Sequence, residues 1–194
     1  LLALLLAVFT VQAQAGIVMG GTRIIYNGDK KEASASIRNP DRSGVWLVQS
    51  WVDSGMKGSK TPFIVTPPLF RINPGEENIL RIVRTGGSLP EDRESVFWLN
   101  VKSIPATDDS VPHDNVLQVV VKSRLKLFYR PAGLEGLPET AYHHLSVSRS
   151  GNRLTVSNPT SYYVTLFTLK VDGQEIKEAD MVPPKGSVSF TLPS

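Results

Sequence analysis

The chain has 194 residues, 41% of them hydrophobic and 20% charged, with 21 Lys and Arg set against 18 Asp and Glu for a net charge of +3. This composition is ordinary for a globular protein and excludes an intrinsically disordered one. So small a net charge, with no basic run of five or more, excludes a strongly electrostatic nucleic-acid binder. There is no cysteine, so the fold must rest on burial, hydrogen bonds and charge pairs alone.

Residues 1–15, LLALLLAVFTVQAQA, combine an apolar run with a small-x-small ending at Ala13-Gln14-Ala15. That is the pattern of a secretory signal peptide, and the run is too short to span a membrane, which takes about 20 apolar residues. Cleavage after Ala15 is expected, with Gly16 opening the mature protein. Export without disulfides and without an N-x-[ST] sequon fits a bacterial periplasm, with no membrane insertion.

From Gly16 onward, short β-rich runs replace helical periodicity. The expected strands are Arg23–Tyr26, Ala33–Arg38, Val45–Val52, Phe63–Val65, Leu69–Ile72, Asn78–Arg84, Ser95–Ser103 and Val116–Tyr129. Turn signals such as Asn27-Gly28, Asn73-Pro74-Gly75 and Gly86-Gly87 separate them. Regular short strands of this kind predict an all-β, immunoglobulin-type sandwich. Residues 132–139, rich in Pro and Gly, read as a linker between a first domain (16–131) and a second (140–194). In the second, Leu145–Val147, Leu154–Ser157, Tyr162–Val171, Glu175–Ile176 and Ser187–Leu192 are expected strands, with a tight hairpin at Asp172-Gly173. The second region is about half the length of the first, and a sandwich of seven strands takes about 100 residues. It therefore reads as cut short at Ser194.

Catalytic signals are missing. The segment GMKGSKT (Gly55–Thr61) lacks the Gly-Lys-[Ser/Thr] of a phosphate loop, since Ser59 follows Gly58. No Gly-x-Ser-x-Gly elbow occurs. His143 and His144 are adjacent, so on a strand they point to opposite faces, and with no cysteine no zinc site, other metal or cofactor is expected.

The most specific stretch is Leu89–Ala106, LPEDRESVFWLNVKSIPA. Together with Thr66-Pro67-Pro68, Asn73-Pro74-Gly75, Leu127-Phe128-Tyr129-Arg130-Pro131 and Asn158–Leu166 (NPTSYYVTL), it resembles the periplasmic pilus-assembly chaperones, the PapD-like family. The resemblance covers essentially the whole chain after residue 15. It implies two immunoglobulin-like domains in an L, and a non-enzymatic protein that lends an edge strand to an incomplete pilus subunit and passes it to an outer-membrane usher.

The resemblance also implies site residues. Leu117, Val119 and Val121 supply the alternate apolar side chains of the lent strand. Arg23 and Lys126 match the pair that grips the subunit's C-terminal carboxylate. Arg81 and Glu94 match members of an interdomain ion network. The short segment Thr107–Asn115 resembles the short-loop branch, whose clients commonly form rod-like pili. Parity raises a question: Lys126 is even and the three apolar residues are odd, so either a bulge intervenes or the lysine acts from the strand's end. Lys122 and Arg124 read as solvated or edge-protecting. The competing readings, a fibre subunit or an enzyme on a sandwich fold, lack respectively a donor segment in Gly16–Thr22 and any catalytic constellation.

Overall fold

The structure is a computed structural model that describes residues 16–56, 60–106, 119–177 and 179–192. Residues 1–15, expected to be a signal peptide, together with Leu117 and the segment Thr107–Asn115, lie outside the described residues.

The first half contains β1 (Val18–Met19), β2 (Arg23–Asn27), β3 (Glu32–Arg38), β4 (Trp46–Asp53), β5 (Phe63–Thr66), β6 (Leu69–Ile72), β7 (Glu77–Arg84), β8 (Ser95–Pro105) and β9 (Val121–Arg130). They form two sheets, one ordered β1-β3-β7-β5 and the other β2-β9-β8-β4-β6. Alternation decides which side chains meet between them. Ala35 and Ile37 of β3, Leu80 and Ile82 of β7, and Phe63 and Val65 of β5 face Ile24, Val48, Leu99, Val101, Leu125 and Leu127 of the opposite sheet in one buried cluster. Each such aliphatic side chain contributes roughly 1.5–3 kcal/mol of burial. Sheet-on-sheet packing of this kind is the sandwich that the strand spacing predicts.

The first strands tie the two sheets together. β1 pairs antiparallel with β3, whereas β2, only a few residues later, pairs parallel with β9 in the other sheet. The crossing runs past Gly20, where an added Cβ would come within 2.1 Å of the Ser36 hydroxyl oxygen. A side chain there requires the Ser36 hydroxyl to rotate away.

The second half contains β10 (Ser146–Ser150), β11 (Arg153–Asn158), β12 (Val164–Thr165), β13 (Lys170–Val171), β14 (Gln174–Glu175), β15 (Met181–Val182) and β16 (Gly186–Thr191). They pair as β10-β11-β16, β12-β15 and β13-β14. Between β13 and β14, Asp172 (φ 51°) and Gly173 (φ 82°) make the expected tight hairpin, with positive φ at both central residues. One expectation needs correction. The run Tyr162–Val171 is not one strand: its backbone donors go to separate partners, with Tyr163 N–H bonding the Glu94 carboxylate and Leu166 N–H bonding the Asp180 carbonyl. His143 and His144, outside the expected strands, lie in a single 3-10 turn, Ala141–His144.

Candidate functional site

The two flanks of β9 differ along its length. On one side it pairs with β8 from Val121↔Ser103 to Tyr129↔Ser95 without a skipped residue. On the other, β2 covers it only from Arg23↔Lys126 to Asn27↔Arg130. Among the described residues no strand therefore pairs with 121–125 along one side, the form of edge that another strand can extend. Val119 is 60% exposed at the start of this edge. Val121 is half-buried against Gly16.

The unbroken ladder answers the parity question. Val121, Ser123, Leu125, Leu127 and Tyr129 share the core-facing side, and Lys122, Arg124, Lys126, Phe128 and Arg130 share the other. No bulge intervenes. Lys126 sits where the open edge stops, because that is where β2 begins.

The register also sets Arg23 beside Lys126 on neighbouring strands, about 4.8 Å apart in the pairing direction. Arg23 reaches over the Phe128 ring at 6.0 Å. Lys126 bonds the Asp180 carboxylate. Next to Arg23 opens a cleft of about 630 Å³, lined from the second half by Tyr163, Thr165, Leu166 and Phe167. Phe167 is 84% exposed, and the buried Thr165 hydroxyl takes no hydrogen-bond partner among the described residues. The composition of the run around Phe167 gave no warning of this, since an apolar residue there reads equally well as core.

The other cations of β9 are engaged. Lys122 stands over Trp51 at 5.2 Å, and Arg124 stands over Trp98 at 4.6 Å while donating to Asp53 at 3.0 Å. Burial would push the Asp53 carboxyl up, but hydrogen bonds from the Gly55 N–H, Asn100 and Arg124 outweigh it and hold the group below its ordinary value. Lys122 and Arg124 thus brace the outer face of the sheet rather than standing free in solvent.

The ion network differs from its expected membership. Glu94 is 4% exposed, accepts from Arg130 Nε at 2.7 Å, and accepts from the Tyr163 N–H at 2.8 Å. Its own N–H donates to the Ser161 carbonyl. Arg81, by contrast, is exposed on β7 in the other sheet, paired with Ser34 and Thr66. The register explains this: Ser95↔Tyr129 sets Glu94 across from Arg130, while β7 belongs to the opposite layer. Arg130 also stacks over Tyr162 at 5.4 Å, and Phe128 packs against Tyr163 at 5.5 Å. Burial, followed by the Glu94 charge, pushes the Tyr163 hydroxyl up. A further bridge, Lys185 to Asp92, joins the halves on the outside.

Two β-rich halves are thus joined by a buried ion network, and a partly open strand edge ends at a cation pair. Residues 16–135 match the family described as pili and flagellar-assembly chaperone, PapD N-terminal domain, and residues 140–194 match the pili assembly chaperone PapD C-terminal domain. The chain belongs to this family of pilus-assembly chaperones, which are not enzymes.

Among its relatives, the probable fimbrial chaperone LpfB of Escherichia coli O157:H7 is 48% identical, over 99% of this chain and 84% of that protein. The chaperone FimC of Escherichia coli K12 is 45% identical, over 94% of this chain and 76% of that protein. Among solved structures, the SafB chaperone in complex with the SafA pilin of Salmonella enterica is similar at a TM-score of 0.83 and 36% identity, covering 92% of this chain and 85% of that one. The periplasmic chaperone SfaE is similar at a TM-score of 0.78 and 40% identity, covering 92% and 88%.

Proposed function

We propose that this chaperone caps pilus subunits by pairing its open β9 edge with the subunit's last strand and holding the subunit's C-terminal carboxylate between Arg23 and Lys126. The observation that carries the reading is the meeting of the open edge and the cation pair at one register position, Arg23↔Lys126. A client strand beside residues 121–125 would lie in line with β2 and end at the cations. Its carboxylate can reach them only if it runs parallel to β9, so the anchor sets direction as well as register. Val119 and Val121, with Leu117 ahead of them, supply alternate apolar side chains, and Phe167 and Thr165 offer a second wall to the chain end. The SafB chaperone's recorded complex with a pilin supports the client class. Delivery to an outer-membrane usher and export to the periplasm through removal of residues 1–15 complete the proposed cycle.

The test is co-purification of candidate pilus subunits from periplasm with the wild type, Lys126→Ala and Arg23→Ala. Truncating one partner of a buried charge pair costs about 2–5 kcal/mol, enough to lose the complex. Variants that fold yet retain no subunit are the expected result. Retention equal to wild type would overturn the carboxylate anchor.

A further inference from the structure

The two cations at the end of the open edge are not equivalent. Among the described residues Arg23 has no carboxylate partner; its recorded neighbour is the Phe128 ring. Lys126 has one already, the carboxylate of Asp180, which comes from the second half of the chain. A site built to receive an anion thus holds an internal anion on one of its two cations.

The position of Asp180 is set by its backbone. Its carbonyl accepts the Leu166 N–H at 2.7 Å, and the next residue, Met181, pairs with Thr165. The strand pair that lines the Arg23 cleft therefore also presents Asp180 to Lys126. The Asp180 side chain is 63% exposed, against 26% for Lys126. A carboxylate so exposed returns to water at small cost, and exposed ion pairs are weak. An arriving carboxylate could share the ammonium, which has three donors, but two carboxylates crowded on one ammonium repel each other. Displacement of Asp180 leaves the better arrangement, with the newcomer between Arg23 and Lys126 and Asp180 hydrated.

We propose that Asp180 is an internal placeholder, holding Lys126 in the unloaded chaperone and yielding it to a carboxylate that arrives at the end of a strand paired along residues 121–125. This rests on the anchoring role proposed above. The device selects by context. A free small carboxylate brings no strand pairing and has only the ammonium to compete for, whereas a chain end brings the backbone hydrogen bonds of the whole edge. Asp180 thereby screens the lysine from stray anions and adds a small, constant competition to every capture. It also makes the contact between Lys126 and the second half conditional on the site being empty, while Glu94 and Arg130 stay joined throughout.

The test compares the full-chain wild type with Asp180→Asn, which keeps size and removes charge at an exposed position. The probe is a short peptide of alternating threonine and valine led by two lysines, used with a free C-terminal carboxylate and as its amide, with sodium acetate as competitor. Asp180→Asn should bind the free-carboxylate peptide about three-fold more tightly, the order expected for removing one exposed ion pair. Its affinity for the amide should be unchanged, and acetate should inhibit it more than it inhibits wild type. If wild type prefers the carboxylate but Asp180→Asn binds it no better, or tightens on the amide equally, the placeholder is refuted and the anchor stands. If wild type shows no preference between the two peptides, or binds neither, the anchor falls and the placeholder with it.

Discussion

Replacing Arg130 with alanine tests the buried tie between the two halves. The Glu94 side chain is 3% exposed and loses its one charged partner among the described residues, keeping the Tyr163 N–H on its other oxygen. Removing one partner of a fully buried pair costs about 3–5 kcal/mol. The Arg130 side chain is 26% exposed, so water screens part of the effect, and about 2–4 kcal/mol is the reasoned figure. For a chain of this size that lowers Tm by roughly 5–15 °C. Urea titration measures it with two probes. All 3 tryptophans, Trp46, Trp51 and Trp98, lie in the first half, so their fluorescence follows that half while far-UV circular dichroism follows the whole chain. The two curves should coincide for the wild type and separate for Arg130→Ala. Glu94→Gln combined with Arg130→Ala should cost less than the sum of the single changes. Arg81→Ala, at an exposed site in the other sheet, should stay within about 0.5 kcal/mol. The reasoning is refuted if Arg130→Ala costs under about 0.5 kcal/mol, or if Arg81→Ala costs as much.

Two more expectations concern the edge and the outer bridge. Val119→Asp puts a charge on an exposed residue at the start of the open edge, so thermal stability should be unchanged while subunit co-purification is lost; a fall in Tm of several degrees would instead assign Val119 to the protein's own core. Asp92 is held well below the ordinary carboxylate range by the hydrogen bond from Arg93, then that from Lys185. Because its folded value lies below its unfolded one, the stabilisation is present above about pH 4 and fades as pH falls toward the folded value. Asp92→Asn should therefore flatten the acid limb of a stability-versus-pH curve, and an unchanged limb would count against the bridge.

Much of the first half is legible in its sequence, because burial on one face of a strand writes itself as alternation. The runs at Ala33–Arg38 and Asn78–Arg84 become β3 and β7 to within a residue or two. Family resemblance points to Arg23 and Lys126 as a pair, and the parallel register of β2 on β9 sets them side by side. Glu94 and Arg130 illustrate the limit. An arginine is equally at home in solvent or against a buried carboxylate, and composition cannot choose between Arg81 and Arg130. The pairing Ser95↔Tyr129 makes that choice. Asp180 was out of reach for a similar reason. Its neighbours Ala179 and Met181 carry no motif, and its meaning comes from a contact with a lysine in the other half. In the second half, strands of two residues are too brief to leave a period, so Tyr162–Val171 reads as continuous although its hydrogen bonds go to scattered partners, among them Glu94, Asp180, β15 and β14.

The parallel pairing of β2 with β9 has a consequence for the order of events during folding. Arg23 lies near the start of the described chain and Lys126 about a hundred residues later, so their strands meet only by closing a very long loop. Such closure is entropically costly and slow, and parallel pairs of high sequence separation form late. The cation pair therefore exists only once the first sandwich has shut. A half-folded chaperone, with its own strands still seeking partners, has an exposed edge but no anchor at its end. Under the proposed anchoring role, client capture is deferred until the chaperone has finished folding itself.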